Sequence, residues 1–141
     1  MEGVRGRQEK TMLKFIDTTT PVRYTSHLDK EEPRTVFLLA PLTSHELQVI
    51  NDATVITKTN GITASSEIKQ TLRNRLAVQF GLRGWEKAAK DFETEQRSIL
   101  GIAKRDMIKE SLLNELPIDY INDLGEQIQA MSLSTGAQQK N

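Results

Sequence analysis

Residues 35–47 place a short apolar segment directly before a strong helix start, and this succession most constrains the fold. The run Thr35-Val-Phe-Leu-Leu-Ala40 is continuous and rich in β-branched and aromatic residues, which predicts a strand buried on both faces. Pro41 ends the strand. Thr43-Ser-His-Glu46 then matches a capping box, in which the Thr43 hydroxyl and the Glu46 carboxylate each accept from the other residue's backbone N–H. A helix therefore begins at Thr43 and ends near residues 51–54.

The preceding segment predicts a partner for this strand. Val22, Tyr24 and Leu28 lie at even spacing with polar residues between them, which is typical of a half-buried strand. Residues 29–33 carry four charges and a proline and therefore form a solvated turn. The two strands are predicted to form a β-hairpin.

The middle of the chain predicts a turn and then a helix. Asn60-Gly61 indicates a turn or a second small hairpin within residues 55–63. Ser65 or Ser66 is expected to cap a helix that ends at Gly81, with Gly81 in the left-handed C-cap conformation. The apolar stripe of that helix recurs every four residues, at Ile68, Leu72, Leu76 and Phe80.

The last third of the chain predicts a loop, a charged connector and two helices. Residues 83–85 are expected to form a tight loop, and residues 87–97 the connector. A helix is predicted over residues 102–116, and Pro117 suits the first position of a final helix. Gly125 would let another backbone approach that helix. The predicted inward residues are Met107, Ile108, Leu112 and Leu113 in the first helix, and Ile118, Ile121, Leu124, Ile128 and Met131 in the second.

These elements predict one α+β domain, with an N-terminal β-hairpin packed on about four helices. The domain is expected to cover residues 21–133, preceded by an extended arm over residues 1–20 and followed by a polar tail over residues 134–141. Phe15 and Ile16 belong to a brief apolar anchor in the arm. Both ends are expected to be ordered only by neighbouring subunits.

Composition argues against several kinds of chemistry. The chain has no cysteine and two histidines, which leaves no thiol nucleophile and few metal ligands. His27 and His45 are best interpreted as surface residues, and the acidic pairs Glu31–Glu32 and Asp119–Asp123 as solvated charge. No Gly-rich phosphate loop and no Gly-x-Ser-x-Gly sequence occurs. We therefore expect no enzymatic activity, no metal and no cofactor.

Partners are constrained by charge and hydropathy. Nineteen basic residues balance nineteen acidic ones, which argues against a general nucleic-acid coat and favours a component of a complex. No apolar stretch approaches the roughly 20 residues that span a bilayer, and the N-terminus has no signal-peptide core. Basic residues do cluster around one predicted helix, but acidic residues are interleaved and aromatics are scarce. The cluster comprises Lys69, Arg73, Arg75, Arg83, Lys87 and Lys90.

Trp85, the only tryptophan, allows two interpretations. It can plug the core at the end of its helix, or it can anchor an interface, since tryptophan is enriched among binding hot spots. The candidate interface residues are Trp85, Arg83, Phe37, Phe15 and Ile16.

The order of these segments resembles small morphogenesis proteins of tailed bacteriophages. The resemblance rests on Val-Phe-Leu-Leu-Ala-Pro-Leu-Thr at residues 36–43, on Gly-Leu-Arg-Gly-Trp-Glu at residues 81–86, and on the terminal helix after Leu116-Pro117. Lys87-Ala88-Ala89 departs from the family, in which an aromatic residue or asparagine often follows Trp-Glu. The resemblance covers about residues 22–133.

The resemblance implies a non-enzymatic protein that binds other phage structural proteins in the head, the head–tail junction or the tail. It would reside in the virion, or in the host cytoplasm during assembly, as a homo-oligomer or in several copies. Two alternatives remain: a transient tail assembly chaperone, and a small nucleic-acid-binding regulator that uses the basic cluster.

Overall fold

A strand, a short connection and a capped helix organise the structure, as the sequence around Pro41 requires. The computed structural model describes residues 12–133. It is a mixed α and β fold with antiparallel strands and four helices, which confirms the predicted class at this level. In chain order the elements are β1 (Val22–Tyr24), β2 (Val36–Leu39), α1 (Ser44–Thr54), β3 (Val55–Asn60), β4 (Thr63–Ile68), α2 (Gln70–Gly81), β5 (Leu82–Glu86), β6 (Thr94–Arg97), β7 (Arg105–Ile108), α3 (Glu110–Leu113) and α4 (Ile118–Met131).

The largest sheet has three antiparallel strands in the order β1-β2-β5. The apolar strand β2 lies in the centre, where both of its edges are hydrogen-bonded. Phe37 and Leu39 point into the core and are 2% and 0% exposed. The predicted N-terminal hairpin is therefore present, and β5 adds the second partner that the sequence did not indicate.

The predicted capping box is present at the start of α1. The Glu46 N–H donates to the Thr43 hydroxyl at 3.1 Å, and the Thr43 N–H donates to the Glu46 carboxylate at 2.9 Å. Glu46 is nearly buried and also pairs with Arg105 of β7. The helix ends at Thr54, whose hydroxyl bonds back to the Ile50 carbonyl.

A second hairpin, β3–β4, follows α1 and is longer than predicted. Its strands pair from Val55 with Ile68 up to Asn60 with Thr63. Gly61 has a φ of 66° and Ile62 does not have a positive φ, which is the arrangement of a type II′ turn. The predicted helix start at Ser65 or Ser66 is wrong, because both serines belong to β4.

Helix α2 begins at Gln70, and no side chain caps it. Gly81 is its last residue but is not a left-handed cap, so that prediction is wrong. An added Cβ at Gly81 would lie 2.5 Å from the Ile128 side chain and 2.9 Å from the Ala40 carbonyl oxygen. Glycine is therefore needed here for close packing.

Two predictions for residues 83–116 are also wrong. Residues 83–85 lie within β5 instead of forming a loop, and residues 105–108 form β7 instead of helix. Only Glu110–Leu113 is helical in that region. The four residues predicted to be inward are nevertheless buried: Met107, Ile108, Leu112 and Leu113.

Helix α4 packs across α2 and closes the core. Ile121, Leu124 and Ile128 are buried as predicted, whereas Ile118 is 57% exposed. A Cβ on Gly125 would lie 2.6 Å from the Asn74 backbone, so the predicted close approach is present. The fully buried Asn74 side chain accepts from Gln129 and donates to Asn122, which satisfies the polar groups at this contact.

Residues 12–21 form neither helix nor strand. The remaining arm residues 1–11 and the predicted polar tail 134–141 lie outside the described residues. Within the described part of the chain, no helix is long and apolar enough to cross a membrane.

Candidate functional site

A row of three aromatic residues crosses the central sheet. Tyr24 of β1 pairs with Phe37 of β2, and Phe37 pairs in turn with Trp85 of β5. Directly paired positions share one face of a sheet, where their side chains contact each other. The Phe37 and Trp85 rings meet edge to face, with centroids 6.2 Å apart. The Tyr120 ring of α4 packs over the Phe37 ring, with the two ring centroids 6.3 Å apart.

An irregularity in β5 places Trp85 on this face. Leu38 pairs with Gly84, but the next residue, Leu39, pairs with Leu82, so Arg83 is an extra residue in the ladder. Such a β-bulge changes the alternation of side chains along a strand. Leu82 and Trp85 are three positions apart and can therefore both pair with core-facing residues of β2.

Trp85 is half-buried and held at several points. Its indole Nε1 donates to the Lys90 carbonyl at 2.7 Å. Its ring also meets Phe92 edge to face at 5.0 Å. Lys90 Nζ in turn donates to the Glu115 carboxylate at 2.6 Å. The indole therefore has its polar group satisfied internally and a defined orientation.

Trp85, Lys90 and Glu115 belong to the lining of an open groove of about 380 Å³, which we call the Trp85 groove. Its apolar part comes from β2, β5, the segment after β5, and the region from α3 to α4. Its charged residues are Asp29, Lys90 and Glu115. The complete lining is Asp29, Thr35, Phe37, Trp85, Ala88, Lys90, Leu112, Glu115, Leu116, Pro117 and Tyr120.

The polar part of the groove is organised by specific contacts. The Asp29 carboxylate accepts from the Thr35 N–H at 2.8 Å, which joins the two ends of the charged turn. Partial burial raises the pKa of Tyr120, and the nearby carboxylates of Asp29, Asp119 and Asp123 raise it further. Tyr120 therefore remains a neutral hydroxyl beside an acidic edge.

This arrangement has the features of a binding surface. Aromatic side chains around an apolar centre with charged residues nearby are typical of protein-binding surfaces. Among residues 12–133, no group of three or more histidine, cysteine, aspartate or glutamate side chains could hold a metal ion.

The other interface candidates lie in different places. Phe37 is 2% exposed and forms the groove floor instead of a free surface. Arg83 is exposed on β5 and donates to the Thr18 carbonyl of the arm at 3.4 Å. Although the side chain reaches solvent, desolvation by the protein around its guanidinium lowers the pKa of Arg83, and the Arg105 guanidinium lowers it further.

Phe15 and Ile16 lie in the arm, away from the Trp85 groove. Phe15 is 86% exposed, and Ile16 is half-buried. Together with Leu13, Leu42 and Leu47 they line a second depression beside the start of α1.

His27 lies beside a carboxylate that two hydroxyl groups also contact. His27 Nδ1 lies 3.4 Å from Asp123, and its side chain is 75% exposed. Asp123 also accepts from the hydroxyls of Ser26 at 2.7 Å and Tyr24 at 2.8 Å. The serine thus bonds to the carboxylate and not to the imidazole, and burial together with Asp123 raises the pKa of Tyr24 to about 12. These contacts tie β1 to α4.

The basic cluster is largely engaged within the protein. Arg73 donates to Gln129 at 2.6 Å, Arg75 bonds to Asn114, and Lys90 pairs with Glu115. Only the charge of Lys90 is compensated by an acid, because Arg73 and Arg75 bond to neutral side-chain amides and keep their positive charge.

Sequence reasoning named Phe37 and Trp85 but missed the rest of the groove. Leu112, Leu116 and Tyr120 come from segments more than 70 residues after Phe37. Their convergence depends on the β2–β5 pairing, which local sequence does not indicate. The even spacing of a strand is absent from Leu82–Glu86, because the bulge interrupts it.

Comparison with known proteins does not identify a family for this chain. No protein-family model, no curated protein and no solved structure matches the chain.

Proposed function

We propose that this chain is a non-enzymatic structural or assembly protein of a tailed bacteriophage, which binds other virion proteins through the Trp85 groove. The proposal combines the resemblance of residues 22–133 to phage morphogenesis proteins with the chemistry of the groove. The resemblance supplies the biological setting, and the groove supplies the mechanism.

The observation that carries the mechanism is an apolar groove whose aromatic walls are held rigid. Trp85 is positioned by its bond to Lys90 and by the rings of Phe37 and Phe92. A preorganised aromatic surface loses little conformational entropy when it binds, so more of its apolar contact contributes to affinity. A partner side chain that fills the groove would displace water from both walls.

The first experiment asks whether the chain is present in purified virions of a phage that encodes it, as measured by quantitative mass spectrometry. A constant number of copies per particle is the expected result. Absence from particles, combined with copurification of a tail protein during infection, would contradict the virion assignment and favour the transient chaperone.

The second experiment tests the groove itself. Ala88 lines the groove and is exposed, whereas its neighbour Ala89 is exposed but is not part of the lining. Ala88→Arg places a long cation in the groove and should reduce incorporation into particles, and Ala89→Arg is the matched control. Equal incorporation of both variants would contradict binding through the groove.

Retention on DNA at moderate salt tests the alternative function, a small nucleic-acid-binding regulator. We expect little retention, because the chain carries no net charge and Lys90 is already paired with Glu115. Retention that resists added salt would overturn this assignment.

A further inference from the structure

The β3–β4 hairpin is an ordered element that buries almost nothing. Of its strand residues only Ile56 is partly buried, and the others are exposed. An isolated two-stranded hairpin is marginally stable in water, because it lacks a hydrophobic face to offset the entropy of ordering. A hairpin with two exposed faces is well suited to contact another molecule.

The tip of the hairpin carries an apolar side chain without neighbours. Ile62 is 102% exposed and is the second of the two central residues of the type II′ turn. The flanking residues Asn60, Gly61 and Thr63 are uncharged, and the one ion pair of the hairpin, Lys58 with Glu67, lies away from the tip. The tip can therefore enter an apolar site without removing a charge from water.

The Trp85 groove has the chemistry that this tip requires. Its volume of about 380 Å³ is larger than an isoleucine residue, and Leu112, Leu116 and Trp85 offer apolar contact. Asp29 and Glu115 provide acceptors for the amide of Asn60 and the hydroxyl of Thr63. Hydrophobic contact at the centre with hydrogen bonds at the edge is the usual organisation of a protein interface.

The hairpin and the groove lie at opposite ends of one helix. β4 ends immediately before α2, and β5, which carries Trp85, begins immediately after it. A helix of 12 residues is about 18 Å long. No hairpin residue lines the groove of its own chain. Two complementary surfaces at separate ends of a chain allow head-to-tail association, in which each copy offers its hairpin to one neighbour and its groove to the other.

We propose that the β3–β4 hairpin of one copy inserts Ile62 into the Trp85 groove of the next copy, so that copies associate head to tail. The partner is thus a second copy of this chain. This inference rests on the proposed function, because it uses the same Trp85 groove and assigns it to a contact between two copies of this chain. A head-to-tail contact closes into a ring or extends as a filament, depending on the rotation between neighbours.

The test uses sedimentation velocity of the full chain without any phage partner, so it does not depend on virion incorporation. The wild type should form species larger than a dimer as concentration rises. Ile62→Asp and Ala88→Arg should each remain monomeric, with a dissociation constant raised about thirtyfold or more, as truncation of a hot spot typically does. Ile68→Asp is the matched control, because Ile68 is also exposed but lies at the base of the hairpin.

Mixing the two monomeric variants gives the decisive measurement. Ile62→Asp retains a working groove and Ala88→Arg retains a working hairpin, so an equimolar mixture should form a heterodimer that grows no further. Circular dichroism and thermal melts establish that each variant is folded. A mixture that stays monomeric would overturn the proposal, as would assembly of Ala88→Arg alone through hairpin-to-hairpin contact.

The single tryptophan gives a second readout that does not depend on size. Insertion of Ile62 removes water from the Trp85 ring, so emission of the wild type should shift to shorter wavelength as concentration rises. Ile62→Asp should show no shift. If Ile62→Asp assembles and shifts like the wild type, the groove binds another part of the neighbouring chain and the proposal is wrong. A wild type that stays monomeric overturns the homotypic contact but leaves virion incorporation to be decided by its own experiment.

Discussion

The hairpins β3–β4 and β6–β7 are built alike and serve the fold differently. Each joins two short antiparallel strands, and each loop contains a glycine with a positive φ, 66° at Gly61 and 75° at Gly101. β6–β7 buries Met107 and Ile108 in the core, at 1% and 0% exposure, whereas the strands of β3–β4 are almost entirely exposed. β3–β4 has six paired positions and β6–β7 only four, so side-chain burial and not the extent of backbone pairing decides which hairpin stabilises the domain.

An isoleucine-to-alanine substitution in each hairpin should give the largest difference in the free energy of unfolding. Ile108→Ala removes a fully buried side chain and leaves a cavity, so we expect a loss of about 2–5 kcal/mol in the free energy of unfolding. Ile62→Ala should change it by less than about 0.5 kcal/mol, because the side chain contacts no core residue. Urea denaturation of the dilute monomer measures both values. Similar losses would show that β3–β4 also packs on the domain.

Substitution of one charged residue in each hairpin should give a smaller difference in the free energy of unfolding. Arg97 of β6 is mostly buried and donates to Gln79 of α2 and to Glu110 of α3, each at 2.9 Å. Arg97→Ala should therefore cost about 1–2 kcal/mol, in the range of hydrogen bonds to charged groups. Lys58→Ala breaks an exposed pair of β3–β4 and should cost less than about 0.5 kcal/mol. Chemical denaturation at two salt concentrations checks both, and the Lys58 effect should lose the larger fraction of its size in salt, because both of its partners are exposed.

Removal of the whole β3–β4 hairpin should have only a small effect on stability. The Lys69 N–H donates to the Thr54 carbonyl at 2.8 Å, so the two ends of the hairpin already lie together. Replacing residues 55–68 with a short Gly-Ser linker should change the free energy of unfolding by less than about 1 kcal/mol. The shortened chain should nevertheless lose self-association. A shortened chain that fails to fold would contradict the separation of roles between the two hairpins.

Elements with local signals were predicted well from the sequence. The capping box depends on residues three positions apart, and Gly61 supplies the positive φ of a turn within its own segment. The predicted apolar stripe of α4 includes three buried residues, because the apolar side of an amphipathic helix faces the core. These features require no knowledge of distant contacts.

The errors arose where distant contacts decide the structure. Met107, Ile108, Leu112 and Leu113 have helical spacing, yet a strand followed by a short helix buries the same four side chains. Hydrophobic periodicity cannot distinguish these solutions over so short a span.

Gly81 illustrates a second kind of error. A glycine after an apolar stripe usually indicates a C-cap, but here it allows contact with Ile128 and Ala40, which are distant in sequence. The Trp85 groove escaped prediction for the same reason, since Tyr120 reaches Phe37 only after the whole sheet and α4 have assembled.

Glu46 has a consequence for the order of events during folding. One carboxylate oxygen accepts from Thr43, three residues away, while the other pairs with Arg105, 59 residues away. Helix initiation takes about a microsecond or less, whereas a contact across a long loop must first close that loop. The acid is therefore held by its own helix before Arg105 arrives. Loss of the Thr43 hydroxyl, which removes the other bond of the capping box, should mainly slow folding, and loss of the Arg105 guanidinium should mainly accelerate unfolding. Glu46 would then link an early step of the folding pathway to a late one.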